Sequence, residues 1–251
     1  MAVSPRFDRS DILNGLLHRI PDFTPMQTTL TLETHAEPRM GPAVEIVPTP
    51  VAKRLLDLVL SGIGLLLSSP LWMVLAALVK IEDGGRVFYS QERVGQGGRV
   101  FRAWKFRSMI TDAEKYVGAL QAARNDPRIT RIGRIMRASA MDELPQLWSI
   151  FAGDMSFVGP RALRPGEIEV LGSGVLEPLE EVPGYRERCR VRPGLTGIAQ
   201  IYAARDIPRR NKFRYDRLYI LRQSLWLDVR LIALSFWITL RGRWETRDAK
   251  I

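Results

Sequence analysis

"SGIGLLLSSPLWMVLAAL", running from Ser61 to Leu78, is apolar enough for lipid, yet it carries Ser68, Ser69 and Pro70 at its middle. No residue between Leu58 and Val79 is charged. As straight helix this run would extend roughly 33 Å, against a hydrocarbon core of about 30 Å. Length therefore favours a crossing helix. Pro70 argues the other way, because it has no amide proton for the Leu66 carbonyl and its ring crowds that oxygen in a regular helix. Ser68 and Ser69 can satisfy backbone groups freed at the break. The flanks set no orientation, since Lys53 and Arg54 on one side are matched by Lys80 and Arg86 on the other. From pattern alone three readings stand: a kinked full span, a re-entrant hairpin broken at Ser69-Pro70, and a buried helix of a soluble core.

The chain around this segment has 251 residues, enough for one substantial core with an accessory tail. Its 37 Lys and Arg against 27 Asp and Glu leave a formal charge of +10, which favours anionic partners: phospholipid headgroups, nucleic acid or phosphorylated substrates. The single cysteine, Cys189, excludes an intrachain disulfide and a multi-thiolate zinc site. Both histidines, His18 and His35, precede residue 50. Carboxylates, Arg and Lys are therefore the chemical parts expected beyond it. Residues 1–50 carry seven prolines and one helix-like fragment, "DILNGLLHRI", and read as a mostly disordered or loosely attached leader without a secretory pattern. Residues 51–251 read as one α/β catalytic domain.

Beyond the apolar run, "RVFYSQERVGQGGRVFRAWKFRSM" predicts short strands around a Gly-rich turn. "TDAEKYVGALQAARN" predicts a modest amphipathic helix. Arg128, Arg131, Arg134 and Arg137 then recur every three residues beside Ile129, Ile132 and Ile135, a basic amphipathic ribbon suited to solvent, phosphate or headgroups. "DELPQLWSIF" predicts a short helix with Pro145 near its first turn and Asp142 at or just before its cap. Residues 166–184 suggest a helical or irregular excursion. "RPGLTGIAQIY" suggests a turn into a short apolar segment, and Lys212 to Leu240 one long helix whose aromatics suit a core or a membrane surface.

Asp142 and Glu143 lie near the basic ribbon, with Arg161 downstream in "GPR". A carboxylate can attack phosphorus if cations temper the repulsion between the two anions. Adjacent helical side chains point about 100° apart, so one acid suits the nucleophile and the other a metal. An acidic pair at a helix start is more often a cap or a solvated feature. The chain has neither GxxxxGK[ST] nor a GxGxxG between strand and helix, so the P-loop and dinucleotide classes lack their parts. Nucleic-acid binding rests on net charge alone and is not expected.

"KFRSM" at 105–109, "MDELPQLWSIFAGDMSFVGPR" at 141–161 and "VRPGLTGIAQ" at 191–200 together resemble the monotopic bacterial phosphoglycosyl transferases, in the same motif order over about residues 51–240. The resemblance implies transfer of sugar 1-phosphate from a nucleotide sugar, usually a UDP-sugar, to a polyprenyl phosphate, with UMP leaving. It implies Mg²⁺ as cofactor and a covalent phosphosugar on Asp142. Glu143 matches the acid assigned to metal, to which Asp142 can add a ligand. Arg137 and Arg161 match arginines that organise carboxylate and phosphate, and Lys105 and Arg107 match the basic residues of the KFR motif. Ser69 and Pro70 match the kink of a re-entrant helix, here about residues 55–80. A small monotopic domain with surface amphipathic helices follows, placed on the bacterial inner membrane with a cytoplasmic catalytic face. Anionic phospholipids are expected partners, and a homodimer is allowed.

Two departures from that pattern bear on the site. Ala162 and Leu163 stand where relatives usually have Pro directly after GPR, and Trp148-Ser149 replaces a common Phe or Leu followed by Asn. The first keeps an alternative in play, a membrane-associated binding or scaffold protein of the same fold with impaired chemistry.

Overall fold

The computed structural model describes residues 44–111, 113, 126–170, 176–204, 207–241 and 244. The chain divides between Arg39 and Met40, and every described residue belongs to the C-terminal unit. The predicted leader through residue 43 and the predicted helix over residues 111–125 fall largely outside the described residues. Residues 44–50 are extended, and the Val47 amide donates to the Arg190 carbonyl at 2.9 Å.

The apolar run forms one helix, α1, Val51–Asp83, closed by Gly84 in the left-handed region. At about 1.5 Å per residue its 33 residues reach roughly 50 Å. It passes through Pro70 as a single element. The Leu66 carbonyl, which Pro70 cannot serve, accepts instead from Ser69 Oγ at 2.8 Å, and Ser68 Oγ accepts from Trp72 Nε1 at 3.0 Å. Ser69 thus does what the sequence assigns to it, whereas Ser68 serves the Trp72 side chain and no backbone group.

One stripe of α1 faces the rest of the protein. Lys53, Asp57, Ser61, Leu75 and Val79 are buried at helical spacing, Gly64 passes close to Leu147, and Trp72 meets the edge of Phe106. The opposite stripe is apolar and open, with Leu66, Leu67 and Met73 each about three-quarters exposed. By length and composition α1 is the one described helix able to cross a membrane, and only 11% of its most apolar window is buried.

Both ends of α1 are polar and carry partners in the same folded body. Near the start, Lys53 Nζ donates to Asp228 Oδ2 at 2.9 Å and to the Val158 carbonyl at 3.0 Å. Asp57 Oδ1 accepts from Ser156 Oγ and the Phe157 amide. Arg54 caps the last carbonyls of a short helix, those of Ile150 and Phe151. Near the far end, Glu82 accepts from the amides of Arg131 and Ile132, where a helix begins and its free N–H groups favour a carboxylate.

The helices held in this way are α2, Arg131–Ala138, and α3, Gln146–Ala152. Before them stand β1, Phe88–Val94, and β2, Val100–Phe106, an antiparallel hairpin whose turn needs positive φ at Gly97 and Gly98. After them come β3, Ser156–Val158; a small antiparallel pair, β4, Ile168–Val170, and β5, Leu176–Pro178; and the short α4, Tyr185–Arg188. β6, Gly194–Thr196, pairs in parallel with β3, and α5, Ile198–Tyr202, follows it. The main core lies between α1, α3, β3 and the C-terminal helices, around Ile150, Val158, Tyr219, Leu231 and Ile238.

Three expectations change. Residues 168–170 and 176–178, expected in a helical or irregular excursion, pair instead as two antiparallel strands. The long C-terminal helix is two, α6, Arg209–Arg222, and α7, Leu225–Leu240. Ser224 separates them in extended conformation and caps α7 by accepting from the Leu227 amide. Asp142 does not cap α3: with Met141 and Glu143 it forms a separate 3₁₀ turn, and Pro145 holds the N-cap position.

Removing one partner of a buried ion pair leaves the other charge uncompensated. Lys53→Met should therefore lower stability by about 3–5 kcal/mol in denaturation in detergent. Val59→Ala, on the open face of α1, should stay within about 0.5 kcal/mol. Equal losses would show that the stripe facing the body does not hold the helix.

Candidate active site

β1 and β2 present alternate side chains to one side. The register sets Tyr89 opposite Lys105, Gln91 opposite Ala103 and Arg93 opposite Phe101, so Arg93 and Lys105 share a hairpin face. Facing them is the turn between α2 and α3. Its entry residue, Ala140, has φ 56°, the one positive-φ residue other than glycine among those described. A left-handed alanine costs roughly 1 kcal/mol or more, and the cost here bends the chain sharply enough to set Asp142 and Glu143 in a single 3₁₀ turn. Asp142 is 8% exposed. Lys105 Nζ and Glu143 Oε1 form a close ion pair.

The third wall follows β3. The backbones of Gly159, Gly194 and Gly197 approach so closely that a Cβ on Gly194 would fall 2.0 Å from the Gly159 nitrogen. The GPR turn is thereby pressed against the loop that begins β6. Arg161 NH2 reaches Glu143 Oε1 at 3.7 Å while its side chain stays half exposed. The buried Arg188 donates to the Arg161 carbonyl and, at 2.9 Å, to Asp216 Oδ2 on α6, with its guanidinium 4.9 Å over the Phe213 ring. Arg188 and Asp216 therefore hold the backbone from which Arg161 reaches out.

A small cleft between these walls is lined by Arg93, Lys105, Glu143, Gln146 and Arg161, with Met155, Ala162, Gly194 and Leu195 beneath. Burial alone would raise the Glu143 carboxyl, but Lys105, Arg161 and Arg93 outweigh it and hold it well below the usual carboxylate range. Arg93 is lowered to about 10 by burial, then by repulsion from Arg161 and Arg164. It stays charged at neutral pH. Burial also pushes Asp216 up despite its ion pair with Arg188. A carboxylate shared by two cations, beside a further guanidinium, makes a cleft of positive excess that suits phosphate oxygens.

The structure brings Lys105, Glu143 and Arg161 together, with Asp142 in the same turn as Glu143. Arg137 lies in the last turn of α2, half-buried, just before that turn. Arg107 does not line the cleft. It forms a two-pronged ion pair with Asp83 and donates to the Arg86 carbonyl, closing the end of α1 against β2. Ser69 and Pro70 sit mid-way along α1, on its exposed side. Four contributors escaped the sequence reading: Arg93, Gln146, Arg188 and Asp216. Arg93 could have been found from the hairpin period that pairs its face with Lys105; the other three are joined to the site by tertiary contacts alone.

Ala162 and Leu163 leave the arginine in place. Both are buried, the Ala162 carbonyl accepts from Arg93 NH1 at 2.9 Å, and the Leu163 carbonyl accepts from the Val94 amide at 2.8 Å. They tie the loop to β1. Among the described residues no three His, Cys, Asp or Glu side chains cluster as a metal cage. Asp142 and Glu143 share one turn and are of the donor type that Mg²⁺ takes, since that ion is held by one or two carboxylates with substrate phosphates and water.

The family model for bacterial sugar transferases matches residues 49–242. The chain is 38% identical over 203 residues to a UDP-N-acetylgalactosamine-undecaprenyl-phosphate N-acetylgalactosaminephosphotransferase of Aeromonas hydrophila, covering 78% of this chain and 46% of that protein. It is 38% identical over 190 residues to a UDP-glucose:undecaprenyl-phosphate glucose-1-phosphate transferase of Klebsiella pneumoniae, covering 74% and 39%. A Caulobacter vibrioides protein with that same name is 35% identical over 228 residues, covering 89% and 80%. The chain thus spans less than half the length of the first two relatives and most of the third. With a family match over more than three-quarters of its length and with the motifs meeting at one cleft, the chain belongs to the bacterial sugar transferase family.

Proposed function

We propose that this protein transfers sugar 1-phosphate from a nucleotide sugar, a UDP-sugar, to a polyprenyl phosphate, in the first membrane step of exopolysaccharide or related glycan assembly. The observation that carries the reading is the cleft in which Lys105 and Arg161 share Glu143 beside Asp142. The names of the relatives, which specify undecaprenyl phosphate and UDP-sugars, support the substrate classes.

In the first step a carboxylate oxygen of Asp142 attacks the phosphorus that bears the sugar. The bond from that phosphorus to the bridging oxygen breaks, and UMP leaves with the electron pair. In the second step a phosphate oxygen of the polyprenyl carrier attacks the same phosphorus. The Asp142 carboxylate departs unchanged, and a lipid-linked diphosphosugar forms. Lys105 and Arg161 hold phosphoryl oxygens and offset the charge that accumulates on them. Glu143 keeps those two cations aligned and stays ionised. Mg²⁺, bound by Glu143 with help from Asp142, would neutralise charge on the donor's phosphates.

The protein sits, in this reading, on the cytoplasmic face of the bacterial inner membrane as a monotopic domain. α1 is one helix through Pro70; in lipid, on this reading, it bends about Ser69-Pro70 so that both of its ends stay at one leaflet. Its two polar ends bind one folded body, whereas a full crossing would set them about 30 Å apart on opposite faces. The open stripe of α1 supplies the apolar surface for lipid. Arg131 and Arg134, exposed on α2 beside Ile135, suit anionic headgroups. A homodimer is compatible with this arrangement.

Purified protein in nanodiscs should release UMP from a suitable UDP-sugar only when polyprenyl phosphate and Mg²⁺ are both present. Asp142→Asn should lose roughly 10³-fold or more of turnover while its thermal midpoint is kept; near-normal turnover would remove Asp142 as nucleophile. Because the Glu143 carboxyl is held low, it remains ionised as pH falls through the ordinary carboxylate range near about 4.3. Glu143→Gln should therefore weaken kcat/KM at every pH from about 5 to 8 by a near-constant factor, and an acid limb that vanishes in this variant would refute that assignment. Single cysteines at the exposed Ala52 and Lys80, in a background with Cys189 replaced by Ser, should be labelled from one side of sealed vesicles. Labelling from opposite sides would defeat the re-entrant topology.

A further inference from the structure

Arg93 is a cation that no carboxylate of the described residues touches, Glu167 and Glu143 acting on it only at a distance. Its NH1 donates to the Ala162 carbonyl and its NH2 to Gln91 Oε1, and among the described residues it forms no ion pair. Gln91 is held in turn, its Nε2 donating to the Tyr89 hydroxyl at 3.2 Å. Tyr89, Gln91 and Arg93 are alternate residues of β1, so the hairpin face itself sets this chain of contacts. The planar guanidinium is fixed at two nitrogens and keeps further N–H groups for another acceptor.

The cleft around Arg93 repeats the same imbalance. Three cations and one carboxylate line it, an excess of two positive charges. Gln146, 5% exposed, adds an amide nitrogen with no hydrogen-bond partner in the protein. A largely buried cation that carboxylates reach only at a distance gains most when a ligand places an anion directly against it. Arg93 and Arg161 are also linked by one loop, since Arg93 grips the carbonyl of the residue that follows Arg161. Their separation is therefore set by backbone rather than by flexible side chains.

We propose that Arg93 binds a second phosphoryl group of the donor, so that the cleft grips a diphosphate between Arg93 on the hairpin and the Lys105 and Arg161 pair beside Glu143. This rests on reading the site as a sugar-phosphate transferase. A nucleotide sugar carries two phosphoryl groups joined by one oxygen, and the cleft offers one cation set for each. Gln91 acts as a positioning residue, orienting the Arg93 fork.

Inorganic phosphate and inorganic pyrophosphate test this without relying on turnover. Titrated calorimetrically into the full chain in detergent, pyrophosphate should bind more tightly than phosphate. Arg93→Gln should weaken pyrophosphate roughly 10- to 100-fold and phosphate by about threefold or less. Arg93→Lys should recover only part of the loss, because an ammonium cannot reproduce the fork. Arg93→Met, in the absence of ligand, should keep or raise the thermal midpoint, whereas a mere strut would lower it. Failure of wild-type protein to bind pyrophosphate, or equal weakening of both anions by Arg93→Gln, would overturn the proposal. Where UDP-sugars turn over, Arg93→Gln should raise KM for the donor and leave KM for polyprenyl phosphate unchanged; the reverse pattern would overturn the assignment. Arg93-dependent pyrophosphate binding in a protein that turns over no UDP-sugar would support Arg93 and count against the transferase reading.

Discussion

The polar ends of an otherwise apolar helix are the constraint on which the rest of this structure depends. Arg54 caps the end of α3 and Glu82 caps the start of α2. The turn that carries Asp142 and Glu143 lies between those two short helices, so both of its supports are fastened to α1. Lys53 and Asp57 extend the same hold to β3, from which the chain runs directly to Arg161. A segment whose composition suits lipid thereby fixes the spacing of groups that suit water and phosphate. The helix and the cleft cannot be displaced independently, because the buried charges joining them have no alternative partners of comparable quality.

The cleft follows a complementary rule. Among the described residues Glu143 is the one carboxylate that lines it, and it is held low by Lys105, Arg161 and Arg93 together. The carboxylate keeps neighbouring cations in register without cancelling their sum. Behind Arg161 stands a second pair, Arg188 with Asp216, whose hydrogen bonds reach the backbone rather than the ligand-facing atoms. Among the described residues only Ala140 other than glycine is left-handed, one step ahead of the acidic turn, where it lets the chain reverse in the space available.

Much of the local structure was legible because its causes are local. The Gly-rich hairpin, the Ser69 hydroxyl that serves the Leu66 carbonyl and the basic face of α2 follow from period, turn chemistry and a missing amide proton. The long C-terminal helix misled, since apolar periodicity continues across Gln223 and Ser224 while the cap that divides it is a single hydroxyl. Residues 168–178 misled for a different reason: two three-residue strands are too short to show alternation above their acidic composition. Arg107 illustrates how a motif can name a residue without giving its task, for its partner Asp83 stands 24 positions away.

The sequence by itself determined the reaction parts and their family: an acidic pair, a KFR segment and a GPR turn in order, with an apolar Ser-Pro helix before them. Those are statements about residue type and short spacing, which the chain carries locally. Only the tertiary structure decided that Lys105 and Arg161 share Glu143, that Arg107 serves the helix end, and that Arg93 and Gln146 enter the cleft. Such assignments depend on which distant side chains the backbone brings within a few ångströms, and charge interactions fall off too steeply in a screened medium for composition to reveal them.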